Sequence, residues 1–325
     1  MKRSGSISIF FSIFCLLTLS AQSLNAQTYP SYPIQVINSF DPGSAGDTAL
    51  RPYAEELGKN LATPVIVLNK PGAASTLGTD FVVRSKKDGY TILYVGPSAL
   101  VYARASNPEQ VPNDPAKDLE PLGLHCFIPT CMAVQESSAL KTFSDLIDFA
   151  KKNPGALRVG IPGSPGSIES FNLELIQSLT GTQLTMVPFK GGGAGISALL
   201  GGHTDAFLIA NNLVGPHVTT GKLRMLLLTK KMREYPDVPT IAELGYKQDL
   251  LIPWFAFYGP AGMPEQVKRT LIPAIEKTVK NPELEAKLLK LGCTVDYRSP
   301  SELDKLVASQ YEIARVLSNK MGLGK

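Results

Sequence analysis

The sequence predicts an α/β protein made of two lobes with largely parallel sheets. Short apolar runs alternate with helical stretches along most of the chain, the pattern of strands joined by crossover helices. Two segments, 103–121 and 245–264, break that alternation. Both are rich in Pro and loop-forming residues, lack a clear period and read as crossings between lobes. On that division 124–252 forms one continuous lobe. The other is split into 27–123 and 253–325, with a ligand expected in the cleft between them.

The elements follow in order. Residues 34–39 read as a strand and 48–61 as a helix, in which Pro52 removes one amide donor. A strand at 65–68, a helix at 74–86 and a strand at 90–95, after Asp88-Gly89, complete the first run. Strand-like runs at 131–134 and 157–161 flank a helix, 143–153, that starts after Thr142 and stops before Pro154. The helix 167–180 ends at Gly181. Strands at 184–189, 205–209 and 225–229 then alternate with helices at 195–201 and 215–221. Beyond the second crossing the chain is mostly helical: 264–280, 282–291 and 301–317. Ser299-Pro300-Ser301-Glu302 has the layout of a helix start.

The chain has 325 residues, 44% hydrophobic and 18% charged, enough for two cores. Lys2 and Arg3 precede an apolar run at 7–19, and small and polar residues then lead to Leu24-Asn25-Ala26. This is the layout of a secretory signal peptide, cut near Ala26, and the run is short of the roughly 20 residues a spanning helix needs. An uncleaved anchor is the alternative. Phe14 stands where a lipoprotein signal before Cys15 requires a small residue. Removing residues 1–26 takes away Lys2 and Arg3 and no acid, leaving 30 basic against 28 acidic residues. That near-neutral balance argues against a nucleic-acid partner. Export leaves Cys126, Cys131 and Cys293, an odd number. The first two flank Pro129 and could bridge only if the chain bends there; buried free thiols are the favoured reading.

Three strand-to-helix loops carry the candidate chemistry. In FDPGSAGD, Phe40 to Asp47, small residues precede a helix start whose exposed N–H groups attract anions. Asp47 is expected to cap that helix. GIPGSPGSIES, Gly160 to Ser170, repeats the arrangement. PFKGGGAGISA, Pro188 to Ala198, contains the loose dinucleotide pattern G-x-G-x-x-A. The ribose-binding acid that pattern needs at the end of the next strand is missing, which excludes a dinucleotide. Two helix starts facing each other across a cleft would clamp a small carboxylate.

Enzyme templates fit poorly. The nearest approach to G-x-S-x-G, Gly96-Pro97-Ser98-Ala99-Leu100, fails at its last position. There is no H-E-x-x-H and no phosphate-binding G-x-x-x-x-G-K. No metal or cofactor is expected. A serine hydrolase using Ser98 or Ser167 with His125 or His217 remains as an alternative.

Read together, YPIQVINSFDPGSAGDTALRPYAEELGKNLATPVIVLNKPGAASTLGTDFV, Asp88-Gly89-Tyr90-Thr91, Pro188-Phe189-Lys190-Gly191, Leu199-Leu200-Gly201-Gly202 with Asp205, Gly221-Lys222-Leu223-Arg224, Pro236-Asp237-Val238-Pro239-Thr240 and Pro260-Ala261-Gly262-Met263-Pro264 resemble, in order, the Bug-type periplasmic solute-binding proteins of tripartite tricarboxylate transporters. The resemblance covers nearly all of the chain after the leader. It implies a two-lobed, Venus-flytrap fold of the periplasmic-binding-protein type, a periplasmic location, and capture of a small organic acid by backbone amides and waters. It also implies a membrane permease pair as partner and a monomeric receptor. Carried over, the contacts fall on Phe40, Pro42, Gly43, Ser44, Ala45, Gly46 and Asp47, on Ser98, on Ser164, Gly166, Ser167 and Ser170, and on Lys190 and Gly191. Hydroxyls of Ser44, Ser98, Ser167 and Ser170 would add hydrogen bonds, and Lys190 charge. The chain departs from the family pattern at Ser44, usually Gly, at Ser170, usually His, and at Ile209, often an acid. These departures also motivate a third reading, a sensor or scaffold that no longer binds a ligand.

Overall fold

The computed structural model describes residues 29–111, 113–163 and 166–323. The expected leader, 1–26, lies outside them. Two mixed sheets organise the chain. The first contains β1 (Ile34–Asn38), β2 (Val65–Asn69), β3 (Thr91–Val95), β4 (Leu119–Phe127), β10 (Trp254–Pro260) and β11 (Thr294–Arg298), in the spatial order β11-β4-β10-β3-β1-β2. The second contains β5 (Thr130–Gln135), β6 (Arg158–Pro162), β7 (Thr185–Phe189), β8 (Ala206–Ala210) and β9 (Leu223–Leu228), in the order β7-β6-β8-β5-β9.

Each sheet has a three-stranded parallel unit, β2-β1-β3 in one and β7-β6-β8 in the other. The remaining pairings are antiparallel: β10 with β3 and β4, β11 with β4, and β5 with β8 and β9. The sheets are therefore less parallel than expected, because β4, β10 and β11 read as loop or crossing. In β4, Pro121 and Gly123 look like breakers, yet the β4–β10 register shifts beside them and absorbs both residues. All seven residues of β10 are buried, so the strand has no alternating pattern to reveal it. The chain passes from the first sheet to the second between Phe127 and Thr130 and returns between Leu228 and Trp254.

The helices are α1 (Ala45–Leu61), α2 (Thr76–Val83), α3 (Ala103–Ser106), α4 (Pro115–Asp118), α5 (Phe143–Lys152), α6 (Ile168–Thr180), α7 (Gly192–Leu200), α8 (Asn211–Thr219), α9 (Glu265–Val279), α10 (Pro282–Lys290) and α11 (Pro300–Lys320). Thr142 and Asp145 close a capping box on α5, as its sequence pattern suggests.

One apolar cluster draws residues from both sheets, among them Ile37, Leu93 and Trp254 with Met132, Phe171 and Leu208. Buried polar contacts hold the return segment in place. Asn172 donates to Leu251 O at 2.8 Å and accepts from Leu251 N at 2.7 Å, and Trp254 Nε1 donates to Gln310 Oε1 at 2.8 Å. The three described cysteines are free and buried: Cys126 in the first sheet, Cys131 in the second, Cys293 before β11. Burial pushes the Cys131 thiol well above its ordinary value.

Candidate functional site

The central strands of the two parallel units, β1 and β6, each end in a loop that opens a helix. Those two loops are built alike. Gly43 has φ +76° and Gly166 has φ +95°, backbone geometry that favours glycine. The next residue, Ser44 or Ser167, is the N-cap. Each hydroxyl accepts from the N–H three residues on, Asp47 or Ser170, at 3.3 Å. Each glycine donates its N–H to the side chain four residues on: Gly43 to Asp47 Oδ2 at 2.9 Å, Gly166 to Ser170 Oγ at 2.9 Å.

The first loop differs from expectation in who caps what. Ser44 caps α1, which begins three residues earlier than the pattern from Thr48 suggested and runs through Pro52. Asp47 reaches backward instead. Its carboxylate takes Arg51 Nε and Nη2, each at 2.9 Å, Asn38 Nδ2 at 3.0 Å and Asn69 Nδ2 at 2.8 Å, besides Gly43 N–H. Asp47 is 2% exposed. Burial alone would raise its pKa, but the Arg51 guanidinium, the Gly43 N–H and the Asn69 amide overcome it and hold the carboxyl at about 2. The loop thus already contains an internal anion, and the Gly43 N–H belongs to it. The first N–H groups of the helix, on Ala45 and Gly46, are the ones a helix start leaves without an intrahelical acceptor. A Cβ on Gly46 would meet Phe40 Cδ2 at 2.6 Å and Phe255 Cε1 at 2.9 Å, so the Phe40 ring lies directly over the loop. Asp41 and Pro42 are exposed at its tip.

In the second loop Ser170 is fully buried and its hydroxyl is used within the loop, donating to Ser167 O at 2.8 Å while accepting from Gly166 N–H. Ser164 lies outside the described residues. Glu169, not singled out by the sequence, follows Ile168 in the first turn of α6. It is half-buried, and desolvation raises its carboxyl pKa above the ordinary value against the pull of its own N–H and of the Ser167 hydroxyl.

Ser98 opens a short π-helical turn, Ser98–Tyr102, after β3; it is half-buried and its hydroxyl caps nothing. Lys190 is exposed between β7 and α7, and Gly191, φ +147°, is the N-cap of α7. Ile209 is 1% exposed within the apolar cluster of Ile196, Leu199 and Phe207. Its Cδ1 lies 2.8 Å from where a Cβ on Gly192 would be, so the residue fills the core under the glycine loop. Of the serines and histidines weighed as a hydrolytic pair, Ser167 is engaged as a cap. His125 is fully buried with Nδ1 2.9 Å from the Tyr94 hydroxyl, and burial pushes its pKa down to about 3. His217 sits in the last turn of α8.

A strained segment adjoins the first loop. Ala73, Ala74 and Ser75 have φ of +46°, +52° and +73°, and the Ser75 hydroxyl donates to Ser39 O at 3.1 Å. Positive φ at three successive non-glycine residues persists only where surrounding structure enforces it.

A model of the tripartite tricarboxylate transporter family receptor matches residues 49–323. Protein BugT of Bordetella pertussis is 31% identical over 302 residues, 92% of this chain and 92% of BugT. A TctC solute-binding protein from Polaromonas, solved without ligand, superposes with a TM-score of 0.79 at 25% identity, covering 90% of this chain and 100% of that one. MatC from Rhodopseudomonas palustris, solved with bound malate, gives a TM-score of 0.72 at 25% identity over 89% of this chain and 100% of MatC. The mixed two-sheet architecture is that of the periplasmic binding proteins. With the family model matching most of its length, the chain belongs to the tripartite tricarboxylate transporter receptor family.

Proposed function

We propose that this receptor captures a small organic acid between the loops that follow β1 and β6 and presents it to the permease subunits of a tripartite tricarboxylate transporter. The observation that carries the reading is the matched pair of serine-capped helix starts, each led by a glycine with positive φ. Helix starts offer unpaired N–H groups and a positive dipole end to an anion. The Ala45 and Gly46 amides, the Ser98 hydroxyl and the start of α6 are the contacts we assign to the ligand carboxylate. Asp47 and Ser170 organise the two loops without touching the ligand, and Ile209 packs in the core under α7. MatC, the relative with malate bound, supports a carboxylate as the ligand class.

In this reading 27–123 with 253–325 and 124–252 act as lobes that close over the ligand, with the strand change near residue 128 as one hinge. The mature chain works as a periplasmic monomer after its leader is removed, without catalysis. A calorimetric screen of dicarboxylates, aromatic acids and nicotinate-like acids tests this. One-to-one binding of an organic acid, micromolar or tighter, is expected. No binder among the anions, with a tight sugar or cation instead, would sink it.

A further inference from the structure

Each sheet has two edge strands, and three of these four edges are guarded. β11 carries Asp296 and Arg298, β7 carries Pro188, and β9 is met by Pro239 and Thr240, with Leu228 N–H donating to Pro239 O at 2.9 Å. β2 has no such guard. Its run Val65-Ile66-Val67-Leu68 holds no charge, proline or glycine, and no strand lies beyond it among the described residues. Ile34 N–H donates to Pro64 O at 2.9 Å and Lys70 N–H to Asn38 O at 2.8 Å. Ile66 and Leu68, between them, therefore turn their backbone groups to β1, and Val65, Val67 and Asn69 turn theirs outward.

The face beside this edge is apolar and uncovered. Ile66 and Leu68 on β2, with Leu77 and Phe81 on α2, are 38–59% exposed. Val65 and Val67, which alternate with the first two, pack against the cluster of Ile34, Val36 and Leu57. Lys70 continues the alternation and lays its Nζ over the Phe81 ring at 4.2 Å, which joins the strand to the helix. A hollow of about 760 Å³ beside Pro71, Leu77 and Phe81 is rimmed by Lys70, Arg84 and Lys86. From 65 to 87 the chain holds Lys70, Arg84, Lys86 and Lys87 against one acid, Asp80, which Arg84 engages at 2.9 Å. The strand end is also bonded to the ligand loop. Asn69 Nδ2 donates to Phe40 O at 3.0 Å, Lys70 N–H to Asn38 O, and the Ser75 hydroxyl to Ser39 O at 3.1 Å.

We propose that β2 is the docking strand of this receptor. Its occupant is an extended segment of the transporter's membrane subunit, with apolar residues at alternate positions and acids flanking them, which adds to the first sheet at this edge. This rests on the transporter reading above. The added strand takes up the outward backbone groups of Val65, Val67 and Asn69 and lays its apolar side chains on Ile66, Leu68 and Leu77. Its acids meet Lys70 and Lys86. A second copy of this chain brings the same basic patch and no free acid from it, so self-pairing sets like charges together. The place also suits the partner's task, because the strand it occupies is bonded to the frame of the ligand loop.

The test is photo-cross-linking in cells of the natural host, with benzoylphenylalanine in place of Ile66 and, as a control, in place of Leu244, an exposed leucine outside β2 and α2. The product is digested and the attached peptide identified by mass spectrometry. The Ile66 probe is expected to capture a periplasm-facing segment of a multi-span membrane subunit with flanking acids, and the Leu244 probe is not. Adding Leu68→Glu to the Ile66-labelled protein is expected to lower the product at least about ten-fold by setting an acid against the partner's acids. Val67→Pro removes one outward N–H and no bond to β1, and it is expected to lower the product as well. Leu68 is exposed, so Leu68→Glu is expected to melt with wild type and to bind the same organic acid in the calorimetric screen. A product formed with a second copy of this chain or with phospholipid, or none above the Leu244 control, overturns the inference. So does full product from the Leu68→Glu or the Val67→Pro protein. If the chain still binds an organic acid, those outcomes leave the receptor reading standing; a chain that binds none in the screen overturns that reading, whatever it cross-links.

Discussion

Replacing Asp47 by Ala is expected to cost about 2–4 kcal/mol of stability, the scale for stranding the buried amide donors it accepts from, since Arg51 is half exposed and can return to water. The carboxylate is the common acceptor of Gly43 N–H, Arg51, Asn38 and Asn69, and its loss strands their donors in the floor of the first loop. Asp47→Asn keeps the shape and part of the bonding, and its cost is about 1–3 kcal/mol. Urea denaturation gives both values, and calorimetry gives the accompanying loss of ligand affinity. The pH dependence has a definite sign. The folded pKa of Asp47 lies below the unfolded one, so the stabilisation is fully present above pH 4 and is lost as pH falls toward about 2. The wild type should lose this increment in that window, while Asp47→Ala, already without it, shows a flatter acid limb. An Asp47→Ala protein as stable as wild type at pH 7 would show that the loop is not organised around this carboxylate.

The second large effect concerns the glycines in the first turns of α7. A Cβ on Gly195 would stand 1.9 Å from Phe207 Cζ, and one on Gly160 in β6 would stand 2.0 Å from Phe207 Cδ2. Phe207 is fully buried and meets Phe189 edge-on at 5.7 Å, so the ring cannot step aside. Gly195→Ala is therefore expected to destabilise by about 1–3 kcal/mol through overpacking. Gly193, in the same helix, has nothing within 4 Å of a built Cβ. There Ala is expected to be neutral or to stabilise by up to about 1 kcal/mol. A nucleotide loop would require both glycines for close approach to phosphate; here one serves a phenylalanine and the other serves nothing that its neighbours show. Equal losses at the two positions, measured by chemical denaturation, would contradict this assignment.

Much of the molecule could be read from the sequence. The parallel units follow alternating apolar runs and helical stretches, and those elements lie close to where the periodicity put them. β10 was hidden because a strand buried on both faces carries no period of two, and β4 because Pro121 and Gly123 sit at bulges rather than at breaks. In the site, the repeated Gly-Ser before each helix was legible as an anion-binding start. What was not legible was the direction in which Asp47 turns. An acid in the first turn of a helix usually suggests a cap, but Arg51, one turn on, and Asn38 and Asn69 at the ends of two neighbouring strands draw it inward. The spacing Asp47 to Arg51 is a helical ion-pair spacing and was the available clue. Ile209 shows the opposite case, where a position expected in the cleft is a core residue because its strand turns that side chain under α7.

The central claim is that the space between the Ser44 and Ser167 helix starts holds a small organic acid. The most direct measurement is mass spectrometry of what the mature, natively purified protein releases on denaturation, with the amount compared against protein concentration. The account predicts a single small carboxylic acid approaching one equivalent, and much less of it from Asp47→Ala. Release of a sugar, a polyamine or a peptide at that stoichiometry would contradict it.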